Sequence, residues 1–148
     1  MATDANGVVQ VSIPLPRSLD TRIFLRITTQ AKAILLSLTT ASQEELAAPR
    51  PMGSFVYALP NRFDHREAIA TTLFSAESSL EFTTRVAKLA ARRTGLPVYV
   101  TNSINLEGMG MGGTVEEEME AFRSVAEAIS SSLPKTALPS QRPAPTRV

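Results

Sequence analysis

Two short runs decide most of what this chain can become. Ile23, Leu25 and Ile27 alternate with Arg22, Phe24 and Arg26. That is the period-2 pattern of a strand with one aliphatic face and an aromatic on the other. Ala33-Ile34-Leu35-Leu36-Ser37-Leu38 is apolar on both faces, which normally marks a strand covered on both sides. Two helices and about six apolar strands are legible in the whole sequence. A helix is about 10 Å wide and strands sit about 4.8 Å apart, so two helices cover roughly one face of a small sheet. The other face then needs a partner. The expectation is an α+β domain: an antiparallel sheet of about six strands, two helices on one face, and the other face used for dimerisation. Such a chain is an interaction protein rather than an enzyme.

The 148 residues are enough for one domain with a core of its own. With no cysteine and a single histidine, His65, disulfides, thiolate metal sites and multi-histidine metal sites are excluded, and no cofactor is expected. All 14 acidic residues precede Leu133, whereas Lys135, Arg142 and Arg147 follow it. The body is therefore mildly acidic and carries no basic footprint for nucleic acid. No apolar run approaches the roughly 18 residues of a membrane span. Met1 to Gly7 has no basic region followed by an apolar stretch, so a secretory leader is not expected, and a cytosolic or nuclear location is.

Residues 1–7 are small and polar and are expected to be disordered. Val8, Val9, Val11 and Ile13 suggest a first strand, ended by Pro14 and Pro16. Strands are expected over Thr21–Thr29 and Ala33–Thr39, joined by a tight turn at Gln30-Ala31-Lys32. Residues 41–53, with Pro49 and Pro51, read as a surface loop in which Gln43–Ala48 has room for one helical turn. A fourth strand, Ser54–Leu59, sets Phe55, Tyr57 and Leu59 on one face. After a polar turn over Asn61–Glu67 comes a fifth, Ala68–Phe74, rich in β-branched residues. Ser78-Ser79-Leu80-Glu81 fits a capping box, and Phe82, Val86, Leu89 and Ala90 form an apolar stripe at helical spacing. Gly95 and Pro97 stop that helix before a last strand around Val98-Tyr99-Val100. Thr114 and Glu117 form a second capping box ahead of a stripe of Val115, Met119, Phe122, Ala126, Ile129 and Leu133. A single domain over 8–133 results. Pro134, Pro139, Pro143 and Pro145 mark 134–148 as a disordered tail.

Three groups of residues invite a functional reading. Gly108-Met109-Gly110-Met111-Gly112-Gly113 contains G-x-G-x-x-G between a strand and a helix. A dinucleotide site would also need a second parallel strand bearing an acid, and the chain turns to proline instead. The preferred reading is a flexible loop whose two methionines could make an adaptable contact, with a small nucleotide-binding enzyme as the remote alternative. His65 lies in a turn with Arg62, Asp64 and Arg66, where a solvated histidine and a turn ordered by Asp64 are expected rather than catalysis. Arg85, Lys88 and Arg92 recur at helical spacing opposite the apolar stripe. They make either a solvated face or a docking surface for an acidic partner. For the uncovered sheet face, one assignment of inward and outward gives Phe24, Leu35 and Val56 as partner-facing residues. No catalytic or metal-ligating residue is assigned.

An ordered set of stretches resembles the proteasome assembly chaperone 4 family. Phe55-Val56-Tyr57-Ala58-Leu59 runs into Arg62-Phe63-Asp64 and then Ala70-Thr71-Thr72-Leu73. A helix ending Ala87-Lys88-Leu89-Ala90-Ala91-Arg92-Arg93-Thr94 follows, and then Val98-Tyr99-Val100-Thr101-Asn102 and a final amphipathic helix. The resemblance covers roughly residues 54–132, and the earlier strands agree in type. It implies a non-catalytic chaperone that pairs with a proteasome assembly chaperone 3-like subunit. It also implies that the pair binds an α5-type subunit during 20S α-ring assembly, with no nucleotide or metal involved; neither a nucleic acid nor a membrane is expected as partner, from the charge and hydropathy above. On that reading, Arg85, Lys88 and Arg92 are the candidate contacts to the α-subunit. The alternative is a generic α+β adaptor or dimerisation module of another pathway.

Overall fold

The computed structural model describes residues 2–3, 7–15, 18, 20–49, 51–64, 66–106 and 114–133. His65, the glycine-methionine stretch 108–113 and the tail 134–148 lie outside the described residues. The strands are β1 (Ala2–Thr3), β2 (Val8–Pro14), β3 (Arg22–Thr29), β4 (Ile34–Ala41), β5 (Ser54–Pro60), β6 (Ala68–Phe74) and β7 (Val98–Ser103). The helices are α1 (Leu80–Thr94) and α2 (Val115–Ser132), with a 3₁₀ turn at Glu44–Ala47. The sheet runs in the order β1-β2-β3-β4-β7-β5-β6. It is antiparallel throughout except where β7 lies parallel to β4. The two-residue β1 pairs Ala2 with Gln10 and Thr3 with Val9 inside the segment expected to be disordered. Its two residues add an edge to six longer strands.

The topology follows from where β7 goes. Strands β5 and β6 form a hairpin, α1 carries the chain back across the sheet, and β7 enters between β4 and β5. Residues 42–53 therefore bridge two strand spacings, about 10 Å, to reach β5. At the other end Gln30 N–H donates to the Ala33 carbonyl (2.8 Å) and closes the β3–β4 hairpin at the expected turn.

One face of the sheet carries the core. The register aligns Ile27, Leu36, Val100 and Val56 across β3, β4, β7 and β5, with Leu25 and Leu38 in the neighbouring row. All are buried and form one cluster with both helices. The helix α1 buries Phe82, Thr83, Val86, Ala87, Ala90, Ala91 and Thr94. Its alanines let the backbone approach β5, which offers the small side chains Ser54 and Ala58 in return. Phe82 meets Phe122 of α2 edge-on, with ring centroids 5.5 Å apart. Gly95 adopts φ +68° and its N–H returns to the Ala91 carbonyl, the expected left-handed stop.

Two helix readings need correction. Ser79, not Ser78, precedes α1, and no side-chain cap bond forms there. The Ser79 hydroxyl is instead 2.8 Å from that of Ser54, and both reach the Ala76 carbonyl. A buried hydroxyl cluster thus ties the start of α1 to the start of β5 in place of a capping box. The second box forms as expected: Glu117 N–H donates to the Thr114 hydroxyl and Thr114 N–H to the Glu117 carboxylate. Beyond it α2 is rotated from the expected stripe. It buries Glu117, Ala121, Val125 and Ile129, while Val115 and Met119 are 71% and 51% exposed.

Candidate partner-binding face

The register that gathers the core also defines the face left over. Leu35, Tyr99 and Tyr57 lie side by side across β4, β7 and β5. In the neighbouring row Phe55 lies beside Thr101 and, on β6, Phe74; Leu59 pairs with Ile69. The Tyr57 and Tyr99 rings are 4.5 Å apart and Phe55 lies 6.2 Å from Tyr99. Leu35 is 40% exposed, and Ile69 and Phe74 are exposed three strands away on the edge strand β6. Desolvation, then the charge and hydrogen bond of Tyr99, raise the pKa of the Tyr57 phenol above its ordinary value. It stays neutral through the physiological range. Neither α-helix covers this face. A contiguous aliphatic and aromatic strip therefore meets solvent on a rigid strand framework, which is how partner surfaces are marked.

Towards β2 the face becomes polar and concave. A groove of about 770 Å³ is lined by Phe24, Arg26, Ser37, Thr39, Met52 and Thr101, among others. Pro51 and Met52 from the 42–53 segment form its wall. Arg22 donates to the Ser12 hydroxyl and carbonyl, and Ser103 donates to Thr39 at 2.8 Å. The floor is thus a set of strand-borne hydroxyls beside one aromatic ring.

The six sequence candidates separate. Phe24 and Leu35 lie on the open face, half-buried and exposed respectively. Val56 does not: it is 0% exposed and lies under α1 on the opposite face. Neighbouring strand residues point to opposite sides, so placing Val56 outward exchanges it with Phe55 and Tyr57. Those two, with Tyr99, Ile69 and Phe74, are the open-face residues the assignment left out. The signal was present in the alternation of small Ser54 and Ala58 with large Phe55 and Tyr57, since a close-packed helix selects the small set.

The basic row on α1 is not one uniform patch. The Arg85 guanidinium lies 4.3 Å over the Phe122 ring and is engaged within the helical layer. Lys88 is exposed. Arg92 donates to the Arg66 carbonyl in the β5–β6 turn. Arg93 holds the end of α2 through the carbonyls of Ser130 and Leu133.

Comparison with known proteins decides the family. The model for proteasome assembly chaperone 4 matches residues 22–104, from β3 through β7. The chain belongs to the proteasome assembly chaperone 4 family. The match includes residues 41–53 and ends before α2. A comparison with curated proteins finds no match. Among solved structures, a chain from a yeast chaperone complex for 20S proteasome assembly shares the fold, with a TM-score of 0.56 and 14% identity. The alignment covers 85% of this chain and 96% of that one. Membership of this family supports a role in proteasome assembly.

Proposed function

We propose that this chain is a non-catalytic half of a heterodimeric assembly chaperone. Its open sheet face packs against a proteasome assembly chaperone 3-like subunit, and the pair holds an α5-type subunit while the 20S α-ring assembles. The observation that carries the reading is the Leu35–Tyr99–Tyr57–Phe55 strip, continued by Ile69 and Phe74. It gives the chain an apolar surface on rigid strands, in a family of assembly chaperones. The compartment proposed is the cytosol, with the nucleus where proteasomes are built there.

Sedimentation of the chain alone and with a proteasome assembly chaperone 3-like subunit tests the pairing. Alone, the chain should self-associate or lose solubility as concentration rises. With the partner, a 1:1 species should form and remain soluble. A chain that stays monomeric at high concentration and ignores the partner contradicts the proposal.

Pairing through the sheet leaves the helical layer for the α-subunit. Reversing charge at Lys88 and Arg92 should slow α-subunit capture several-fold at low salt, with the difference shrinking as salt rises. Heterodimer formation should be unchanged, because both residues are exposed on the side of α1 away from its buried stripe. Association rates at two ionic strengths measure this. Equal rates would return both residues to the status of solvated charges.

A further inference from the structure

Phe63 is 98% exposed, in a turn that could hold a polar residue without loss. The turn is not loose around it. Phe63 N–H donates to the Asn61 side-chain oxygen at 2.9 Å. At the next residue, Asp64 accepts from Arg66 N–H at 2.9 Å and from its guanidinium at 3.2 Å. Two side-chain-closed turns in succession thus order the backbone that presents an aromatic ring to water at the tip of the β5–β6 hairpin. An aromatic side chain with only two torsions loses little conformational freedom on docking, and such anchors carry much of the binding energy at interfaces.

The surroundings of the ring specify what it fits. Arg62 is exposed, as is Arg66 at 90% of its side chain. Arg92 bonds to the Arg66 carbonyl, so the hairpin tip is continuous with the basic surface of α1 that includes Lys88. Asp64 and Arg66 neutralise each other and the exposed Glu67 offsets Arg62, so the net positive charge near the ring comes from Arg92 and Lys88 on α1. The tip is an apolar knob beside a basic helix surface, and its complement is an apolar socket flanked on that side by carboxylates.

We infer that Phe63 is the anchor by which the chaperone pair grips the α-type subunit, entering an acid-flanked apolar socket on it. The inference rests on the function proposed above and assigns a contact residue within it. The location agrees with the role: the tip joins the helical layer through Arg92 and leaves the open sheet face free for the other chaperone.

The test is surface plasmon resonance of purified heterodimers on an immobilised α5-type subunit, using wild type, Phe63→Ala, Phe63→Leu and Arg62→Glu. Phe63→Ala should weaken capture roughly tenfold or more, chiefly through faster dissociation. Phe63→Leu should recover part of the loss. Arg62→Glu should slow association, with the deficit fading at high salt. Phe63 is almost wholly exposed, so melting temperature and heterodimer yield should match wild type for all three. Capture by Phe63→Ala within twofold of wild type overturns the anchor while leaving the chaperone reading intact. Loss of the heterodimer in Phe63→Ala overturns it too, since the tip would then belong to the chaperone–chaperone interface. A wild-type pair that forms but captures no α-subunit overturns both readings.

Discussion

Gly53→Ala is expected to be among the most destabilising single substitutions in this chain. Two costs add. Gly53 has φ +72°, a region that costs an alanine about 1–2 kcal/mol. A Cβ there would also lie 1.9 Å from the Asn102 carbonyl oxygen, 2.6 Å from its carbon and 2.8 Å from Ser103 Cα. All three are backbone atoms of β7, held between β4 and β5, and cannot swing aside as a side-chain tip can. The backbone must shift at the point where the chain, having crossed β7, starts β5. A total loss on the order of 4 kcal/mol follows, a large part of the 5–15 kcal/mol typical of a domain. It corresponds to a fall in melting temperature of roughly 10 °C or more. Gly7→Ala is the internal control. Its φ is +79°, but the nearest atom to a new Cβ is the Thr29 carbonyl oxygen at 3.6 Å. It should show the backbone strain alone, about 1–2 kcal/mol. Equal melting temperatures for the two variants would show that β7 gives way at no cost, and the argument from close approach would fail.

The close approach at Gly53 exists because β7 is inserted between two strands that precede it in sequence, and that insertion is where sequence reading stopped. Local patterns foretold the longer strands, the β3–β4 turn, the Gly95 stop and the Thr114–Glu117 box, because each is decided within a few residues. Nothing local says that β7 pairs parallel with β4, since that choice is made by α1 carrying the chain back over the sheet. The same limit explains the α2 error. Val115-Met119-Phe122-Ala126 and Glu117-Ala121-Val125 are alternative stripes on one helix, and both lead to Ile129. Hydropathy alone favours the first. The structure buries the second: the capping box holds one oxygen of the Glu117 carboxylate, which offsets part of the cost of burying it, and Ala121 is small. Ser79 is a third case. A serine before a helix reads as a cap, but a buried Ser54 hydroxyl 25 positions away in sequence takes it instead. On the open sheet face, the existence of an uncovered apolar surface was legible from the surplus of apolar strands. Which residues of β5 belong to it was legible only from side-chain size, small Ser54 and Ala58 against large Phe55 and Tyr57, because periodicity alone separates two faces without saying which one a helix will cover.

That ambiguity has a direct test in two residues that sequence alone assigned to the same surface. Leu35→Asp and Val56→Asp should fail in different ways. Val56 is 0% exposed beneath α1, in the row with Leu36 and Val100. A carboxylate there loses its hydration with an apolar environment in exchange, a penalty of several kcal/mol that a domain of this size does not absorb. Val56→Asp should give no cooperative melting transition and little soluble protein, with or without a partner chain. Leu35 is 40% exposed beside Tyr99 on the open face. An aspartate there keeps most of its water, so circular dichroism and melting temperature should stay close to wild type, within about 1 kcal/mol of stability. The loss should appear in pairing instead. Docking the open face against a partner sheet would bury the new charge at the end of the Leu35–Tyr99–Tyr57 row, weakening the heterodimer roughly a hundredfold. Size-exclusion chromatography with a proteasome assembly chaperone 3-like subunit reads this as failure to co-elute. A folded Leu35→Asp that still co-elutes would show that the pair forms elsewhere, and the polar groove around Phe24 and Met52 would then be the part of this face left to explain. A folded Val56→Asp would mean that α1 does not close over β5 as described.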